Sequence, residues 1–370
     1  MSSRFVIFSG YNDRAVVALC RELTALGEPF SIIAAHGRDR IFRTAYRPHV
    51  DAIRTVRSLD ADDLDRCLAR VRARHPAARY VIAPSSEFLD QYVLDHRAWF
   101  QARGADVPLV DRDIYARVTN KWSFRALCEG AGVGVPPLVD PAAGRYPFVA
   151  KPRTNITADG QSLYPVLIYT DDDWRAAQAM AVSEAHYYFE ALIDGPSYYL
   201  LFYVPANPAA PVFRWSQRNR AQQPGGKSML WATSDTLHDA PIADQLVGAL
   251  RATGFHGLAM IELIRDADTF RAIELNPRLW GPLQLVRNAG SHLLRAFVEE
   301  ALHGDIHASD PHAGHAASYV WLGGARAGLV WHEPPPRFPW LALAAQAAGD
   351  IYLRPDTWPV FFDEWAGSLE

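Results

Sequence analysis

The segment Ala272-Ile273-Glu274-Leu275-Asn276-Pro277-Arg278-Leu279-Trp280-Gly281 decides how the chain is read. Ile273 to Asn276 alternate apolar and polar, so on a strand Glu274 and Asn276 project side by side from one face. A carboxylate and an amide oxygen placed together are hard donors that suit a divalent cation. Pro277 has no amide hydrogen and stops the ladder, so Arg278 emerges at the strand end beside those donors. Upstream, Ile261-Glu262-Leu263 lies in a second apolar stretch, with a turn at Asp266 to Asp268 between the two. The pattern predicts a hairpin, and pairing across it brings Glu262 beside Glu274. Carboxylates converging in an apolar hairpin repel one another unless a cation lies between them. Two solvent-facing acids fit the alternation equally well; the Asn-Pro-Arg continuation favours the inward reading.

Working outward, the N-terminal part alternates strands and helices. Phe5 to Phe8 form a short apolar run ending at Ser9-Gly10, as a buried parallel strand does before a tight turn. Val16, Val17, Leu19, Cys20, Leu23 and Leu26 recur at helical spacing, and Gly27 closes that helix. A strand over 30–35, a helix over 59–74 and a strand over 80–83 follow. Pro84-Ser85-Ser86-Glu87 then opens another helix. This rhythm implies a doubly wound sheet. Gly10 belongs to no GxGxxG, so a dinucleotide site is not supported.

Asn120-Lys121-Trp122 begins a helix to about Glu129, and a glycine-rich turn with Pro136-Pro137 marks a boundary. Strands over 148–151, 164–169 and 187–192 with a helix over 172–180 make a compact α+β unit. Further strands are expected over 198–204, 212–217, 258–265 and 270–275, with helices over 240–253 and 282–302. Residues 214–220, followed by Pro224-Gly225-Gly226-Lys227-Ser228, read as a basic loop after a strand. The tail beyond His303 is rich in Pro, Trp and Ala and receives no chemical role.

Composition sets the bounds. The chain has 370 residues, 49% hydrophobic and 21% charged, enough for two or three packed domains. A net charge of -4 leaves no basic footprint for nucleic acid. Its three cysteines, Cys20, Cys67 and Cys128, form no CxxC pattern and suit a reducing compartment. No signal peptide or membrane-length apolar run is visible, so the expectation is a cytoplasmic protein with no membrane partner. The histidines are irregularly spaced for zinc, and no GxSxG elbow occurs, so covalent catalysis by the protein is not indicated.

The 272–278 segment resembles the metal-binding EINPR-type signature of the ATP-grasp superfamily, and residues 257–262 resemble its partner strand. Pro147-Phe148-Val149-Ala150-Lys151-Pro152 is similar to the strand whose lysine reaches nucleotide phosphates. Residues 189–195 resemble the linker whose backbone reads adenine, and Asn120-Lys121-Trp122 resembles an earlier phosphate-contacting lysine. The ordered set spans roughly residues 1–305.

The resemblance implies α/β and α+β architecture: a Rossmann-like N-terminal domain (1–115) followed by a two-subdomain ATP-grasp fold. The middle subdomain would cover 116–196, the C-terminal subdomain 197–305, and an extension of unknown role 306–370. It implies ATP and Mg2+, or Mn2+ in its place, with Glu262, Glu274 and Asn276 as metal ligands. Lys121, Lys151, Glu190, Ala191, Leu192 and Gly160 would bind nucleotide, Gly160 in a loop over the phosphates. Arg278, Arg220 and Lys151 would serve the chemistry, Arg220 by binding phosphate or an anionic substrate. The implied reaction is that of a carboxylate–amine ligase forming an amide or peptide bond through an acyl phosphate. Its partners would be a small carboxylate and an amine, amino acid or peptide in kind, with a homodimer allowed. A non-catalytic ATP-binding module and an ATP-grasp phosphotransferase or carboxylase are the alternatives.

Overall fold

A computed structural model of the chain describes residues 3–154, 163–180, 182–183 and 185–367. Five strands, β1 (Ser3–Phe8), β2 (Phe30–Ala34), β3 (Val50–Ile53), β4 (Arg79–Ile82) and β5 (Ala105–Asp106), form a parallel sheet in the order β3-β2-β1-β4-β5. Phe5 to Phe8 are buried because helices cover the sheet, among them Asp13–Leu26, Ala61–Arg74 and Glu87–Asp95. Ser86 caps the last of these by accepting the Leu89 amide. The strand order reverses between β1 and β4, so the loops leaving those two strands border one crevice.

A smaller antiparallel sheet follows, β6 (Phe148–Pro152), β7 (Val166–Ile168) and β8 (Tyr187–Ala191), in the order β7-β6-β8. The helix Asp171–Ala179, capped by Thr170, packs on it through Ala177 against Phe148, Ile168 and Phe189. Gly160 lies outside the described residues.

The largest sheet holds β9 (Ser197–Val204), β10 (Phe213–Gln222), β11 (Met229–Asp235), β12 (Gly257–Asp266), β13 (Thr269–Asn276), β14 (Ser318–Val320) and β15 (Val330–Trp331). Its order is β13-β12-β9-β10-β11-β14, with β15 on β10. Leu201, Trp215 and Met260 on one face share a core with the helices Asp13–Leu26 and Leu293–His303. Leu200, Ile261 and Leu263 on the other share a core with Phe124 and Cys128 of the helix Lys121–Gly130.

Two expectations change. The stretch read as a basic loop over 214–220 is strand: Trp215, Gln217, Asn219 and Ala221 are buried, and β10 runs to Gln222. The helix expected over 282–302 is two, Gln284–Asn288 and Leu293–His303. They break at Gly290, whose φ of +67° is left-handed backbone that glycine adopts without strain. Beyond His303 the chain adds β14 and β15 to the large sheet. All three cysteines are buried and free. Among the described residues, no helix is long and apolar enough to cross a membrane.

Candidate active site

The hairpin of β12 and β13 pairs Glu262 with Glu274 and Met260 with Asn276. Directly paired residues point to one face, so both acids and the amide converge there. A bulge follows Glu262, and bulges re-aim side chains where a sheet meets a site. Asn276 Nδ2 donates to Glu274 Oε1 at 3.0 Å, and Arg278 Nη2 donates to Asn276 Oδ1 at 2.9 Å. Among the described residues no three His, Cys, Asp or Glu side chains converge as a metal-holding group. The donor set is therefore two carboxylates and an amide oxygen, which fits a hard cation better than zinc.

Two lysines meet this hairpin. Lys121 opens the helix Lys121–Gly130 behind Asn120, whose side chain caps the Trp122 and Ser123 amides. Its Nζ lies 3.1 Å from Glu274 Oε2 and is almost wholly buried. Lys151 Nζ, from β6, donates to Glu190 Oε1 at 3.1 Å and to the Ile273 carbonyl at 2.6 Å. Lys151 thus ties the small sheet to β13. Glu190 on β8 also faces Arg125 Nη1 at 3.7 Å.

The two acids titrate apart. Burial pushes Glu262 up, and the neighbouring Glu274 charge pushes it further. For Glu274, burial also acts upward, but Lys121 and Lys151 outweigh it and hold the carboxyl well below its usual range. Glu262 is reached from the other side by a hydrogen-bonded row that the sequence did not suggest. Gln217 Nε2 donates to Asn219 Oδ1 at 2.7 Å, Asn219 Nδ2 to Ser197 Oγ at 2.8 Å, and Ser197 Oγ to Glu262 Oε1 at 3.4 Å. Only the buried polar positions of β10 signalled it.

A cavity of about 320 Å³ opens beside the hairpin. Glu262, Glu274, Asn276 and Arg278 form one part of its wall. Tyr11, Asn12 and Arg14 after β1, and Ser85, Ser86 and Glu87 after β4, supply another. These are the two loops at the strand-order reversal, the place where open parallel sheets bind ligands. The tip between β10 and β11 adds Gly226, Lys227 and Ser228.

The structure thus gathers Lys121, Lys151, Glu190, Glu262, Glu274, Asn276 and Arg278. Ala191 ends β8 and Leu192 follows it, but the Ala191 amide already donates to the Pro137 carbonyl at 2.9 Å. Arg220 does not join them. It is absent from the cavity wall, and Arg220 Nη1 lies 3.0 Å from Glu333 Oε2. Arg218, its neighbour two residues back, pairs with Tyr198, whereas Glu262 pairs with Tyr199. Arg218 and Glu262 therefore point to opposite faces. Arg220 donates from Nε to Thr233, which pairs with Arg218, so it shares Arg218's face. The expectation of Arg220 in the site is corrected.

No protein-family model matches the sequence, and no curated protein matches it. Solved structures do share its fold. The biotin carboxylase–β,γ-ATP complex from Campylobacter jejuni superposes with a TM-score of 0.63 at 15% identity, covering 85% of this chain and 74% of that one. N5-carboxyaminoimidazole ribonucleotide synthetase from Thermus thermophilus gives 0.61 at 14% identity, over 90% and 84%. An L-amino acid ligase from Bacillus licheniformis gives 0.56 at 15% identity, over 82% and 74%. The fold held in common is the ATP-grasp fold, here with a parallel-sheet N-terminal region.

Proposed function

We propose that the protein is an ATP-dependent carboxylate–amine ligase that forms an amide through an acyl phosphate and releases ADP and phosphate. The observation that carries this reading is the Glu262–Glu274 pair with Asn276, ringed by Lys121, Lys151 and Arg278 at a cavity wall. Likeness to an ATP complex of a biotin carboxylase and to an L-amino acid ligase supports it.

In this reading the subdomains 116–196 and 197–305 enclose the nucleotide, and the 1–115 domain supplies substrate contacts. Glu262, Glu274 and Asn276 would hold Mg2+ or Mn2+, which offsets negative charge on the phosphates and the transferring phosphoryl group. Lys121 and Lys151 are compact point charges, now matched to Glu274 and Glu190, that exchange these carboxylates for phosphate oxygens. Base recognition falls to backbone groups around Leu192, because the Ala191 amide is committed. A substrate carboxylate oxygen attacks the γ-phosphorus, and an amine then attacks the acyl carbon with loss of phosphate. Arg278, braced by Asn276, donates to the oxyanion formed in that second step. Positioning and electrostatics supply the rate, which is why no nucleophilic triad is needed.

The purified protein with ATP, Mg2+ and pooled amino acids should release ADP only when a carboxylate and an amine are both present. AMP with pyrophosphate would rule out this chemistry. Glu274→Gln should abolish turnover with the fold intact, and ATP binding without turnover for any pool would identify a binding module instead. Carboxylation is a second reading, favoured by the likeness to biotin carboxylase. Its mark is amine-linked uptake of labelled bicarbonate with no carboxylate substrate added.

A further inference from the structure

Arg14 lies in the first turn of the helix Asp13–Leu26 and lines the same cavity as Arg278, yet the reaction just described makes no use of it. Its Nη1 donates to the Met229 carbonyl at 3.0 Å and to the Tyr319 hydroxyl at 3.1 Å. Its Nη2 donates to the Ser228 hydroxyl at 3.0 Å, and its Cζ lies 4.1 Å from the centre of the Trp321 ring. These contacts fix the plane of the guanidinium without neutralising it, because every acceptor is uncharged. Among the described residues no carboxylate stands at ion-pair distance from Arg14.

A guanidinium carries five N–H donors, and three are spent here, so two remain uncommitted among the described residues. A half-buried, oriented, unneutralised fork of this kind suits a carboxylate. Gly281 leaves room for the guanidinium: a Cβ there would lie 3.0 Å from Arg14 Nη2 and 3.3 Å from its Cζ. Lys227, exposed at the β10–β11 tip, brings a second positive charge to the same wall.

We infer that the amine substrate is an amino acid, and that Arg14 with Lys227 holds its carboxylate while its amino group attacks the acyl phosphate. The binding claim stands by itself; the attack rests on the ligase reading. In that step the nitrogen forms the C–N bond, the acyl C–O bond to phosphate breaks, and phosphate leaves. The proton lost by nitrogen passes to phosphate or solvent.

Equilibrium dialysis of the full chain against a radiolabelled L-amino acid mixture, without nucleotide, tests the binding. The wild-type protein should retain label, and an equal mixture of the matching amines without carboxylates should be retained far less. Arg14→Gln should lose retention by about tenfold or more, the worth of a charge-assisted pair. Gly281→Ala, which leaves the arginine in place and crowds it, should lose it too. Lys227→Gln, at an exposed tip, should weaken it with the fold unaffected.

No retention by the wild-type protein, or equal retention by Arg14→Gln and Gly281→Ala, overturns the subsite. In turnover, Arg14→Gln should raise KM for amino acids and leave the amines unchanged. Retention that depends on Arg14, with no ADP formed for any pool, keeps the subsite and removes the ligase reading.

Discussion

Glu262 is half-buried beside a second acid and, among the described residues, is hydrogen-bonded to one hydroxyl, so in its ionised form it works against the fold. Glu262→Gln keeps an acceptor for Ser197 and removes the repulsion from Glu274. The ligand-free variant should be more stable than the parent by about 1 kcal/mol at pH 8, a common gain when a functional site is relieved. The sign with pH follows from the raised folded pKa. Such a carboxyl costs stability only where the unfolded chain has already ionised, so the gain should shrink as pH falls below about 7, the folded value, and be gone below the ordinary 4.5. Denaturant melts of both proteins across pH would show this, and equal midpoints at pH 8 would count against the inward-facing pair. Asp90 shows the same pressure in another form. It is buried, neither carboxyl oxygen is hydrogen-bonded among the described residues, and burial pushes it well above the carboxylate range against the opposing charge of Arg278.

Strand β10 shows what alternation can and cannot convey. Its basic residues at 214, 218 and 220 suggested a phosphate-binding loop, because charge near glycines is the common signature of one. The structure alternates them with buried Trp215, Gln217, Asn219 and Ala221, and the arginines serve the opposite face. Arg220→Gln should therefore leave kcat and KM at wild-type values. Its loss of the Glu333 pair, shared with Arg218, should cost less than about 1 kcal/mol, as part-exposed pairs do. A large fall in turnover would return Arg220 to the site.

The β12–β13 hairpin was readable because two-residue periodicity, a turn and a proline coincide within some twenty residues. The βαβ rhythm was readable because buried parallel strands are short apolar runs. Arg14 was not, since its partners lie on Ser228, Met229, Tyr319 and Trp321, more than two hundred positions away. The break at Gly290 was hidden too, because one glycine within a helical pattern is often tolerated.

The extension beyond residue 305 joins the parallel-sheet region to the large sheet, and the cavity lies between the parts it joins. β14 and β15 add to the large sheet, while Asp356, Asp363 and Glu364 reach Arg21, Arg43 and Arg40. Asp356 is central: Arg21 donates to its two oxygens at 2.8 and 3.0 Å, and the Tyr46 hydroxyl donates at 2.8 Å. Burial acts to raise Asp356, but the Arg21 hydrogen bonds and charge outweigh it and hold its pKa below the ordinary 3.8. A carboxyl depressed in the folded state contributes its full stability above its unfolded pKa and loses it as pH falls through the folded one. Asp356→Asn, which leaves the buried Arg21 without its counter-charge, should therefore cost about 3 kcal/mol at pH 7. The gap between variant and parent should hold down to about pH 4 and close only below it. Thermal melts along an acid series would check both, and equal stability at pH 7 would sink the clamp. Tyr319 and Trp321 belong to the same extension and orient Arg14, so loosening the clamp should also weaken amino acid retention in dialysis. Such coupling would give the tail a part in substrate binding through the placement of one guanidinium, although none of the described cavity-lining residues comes from it.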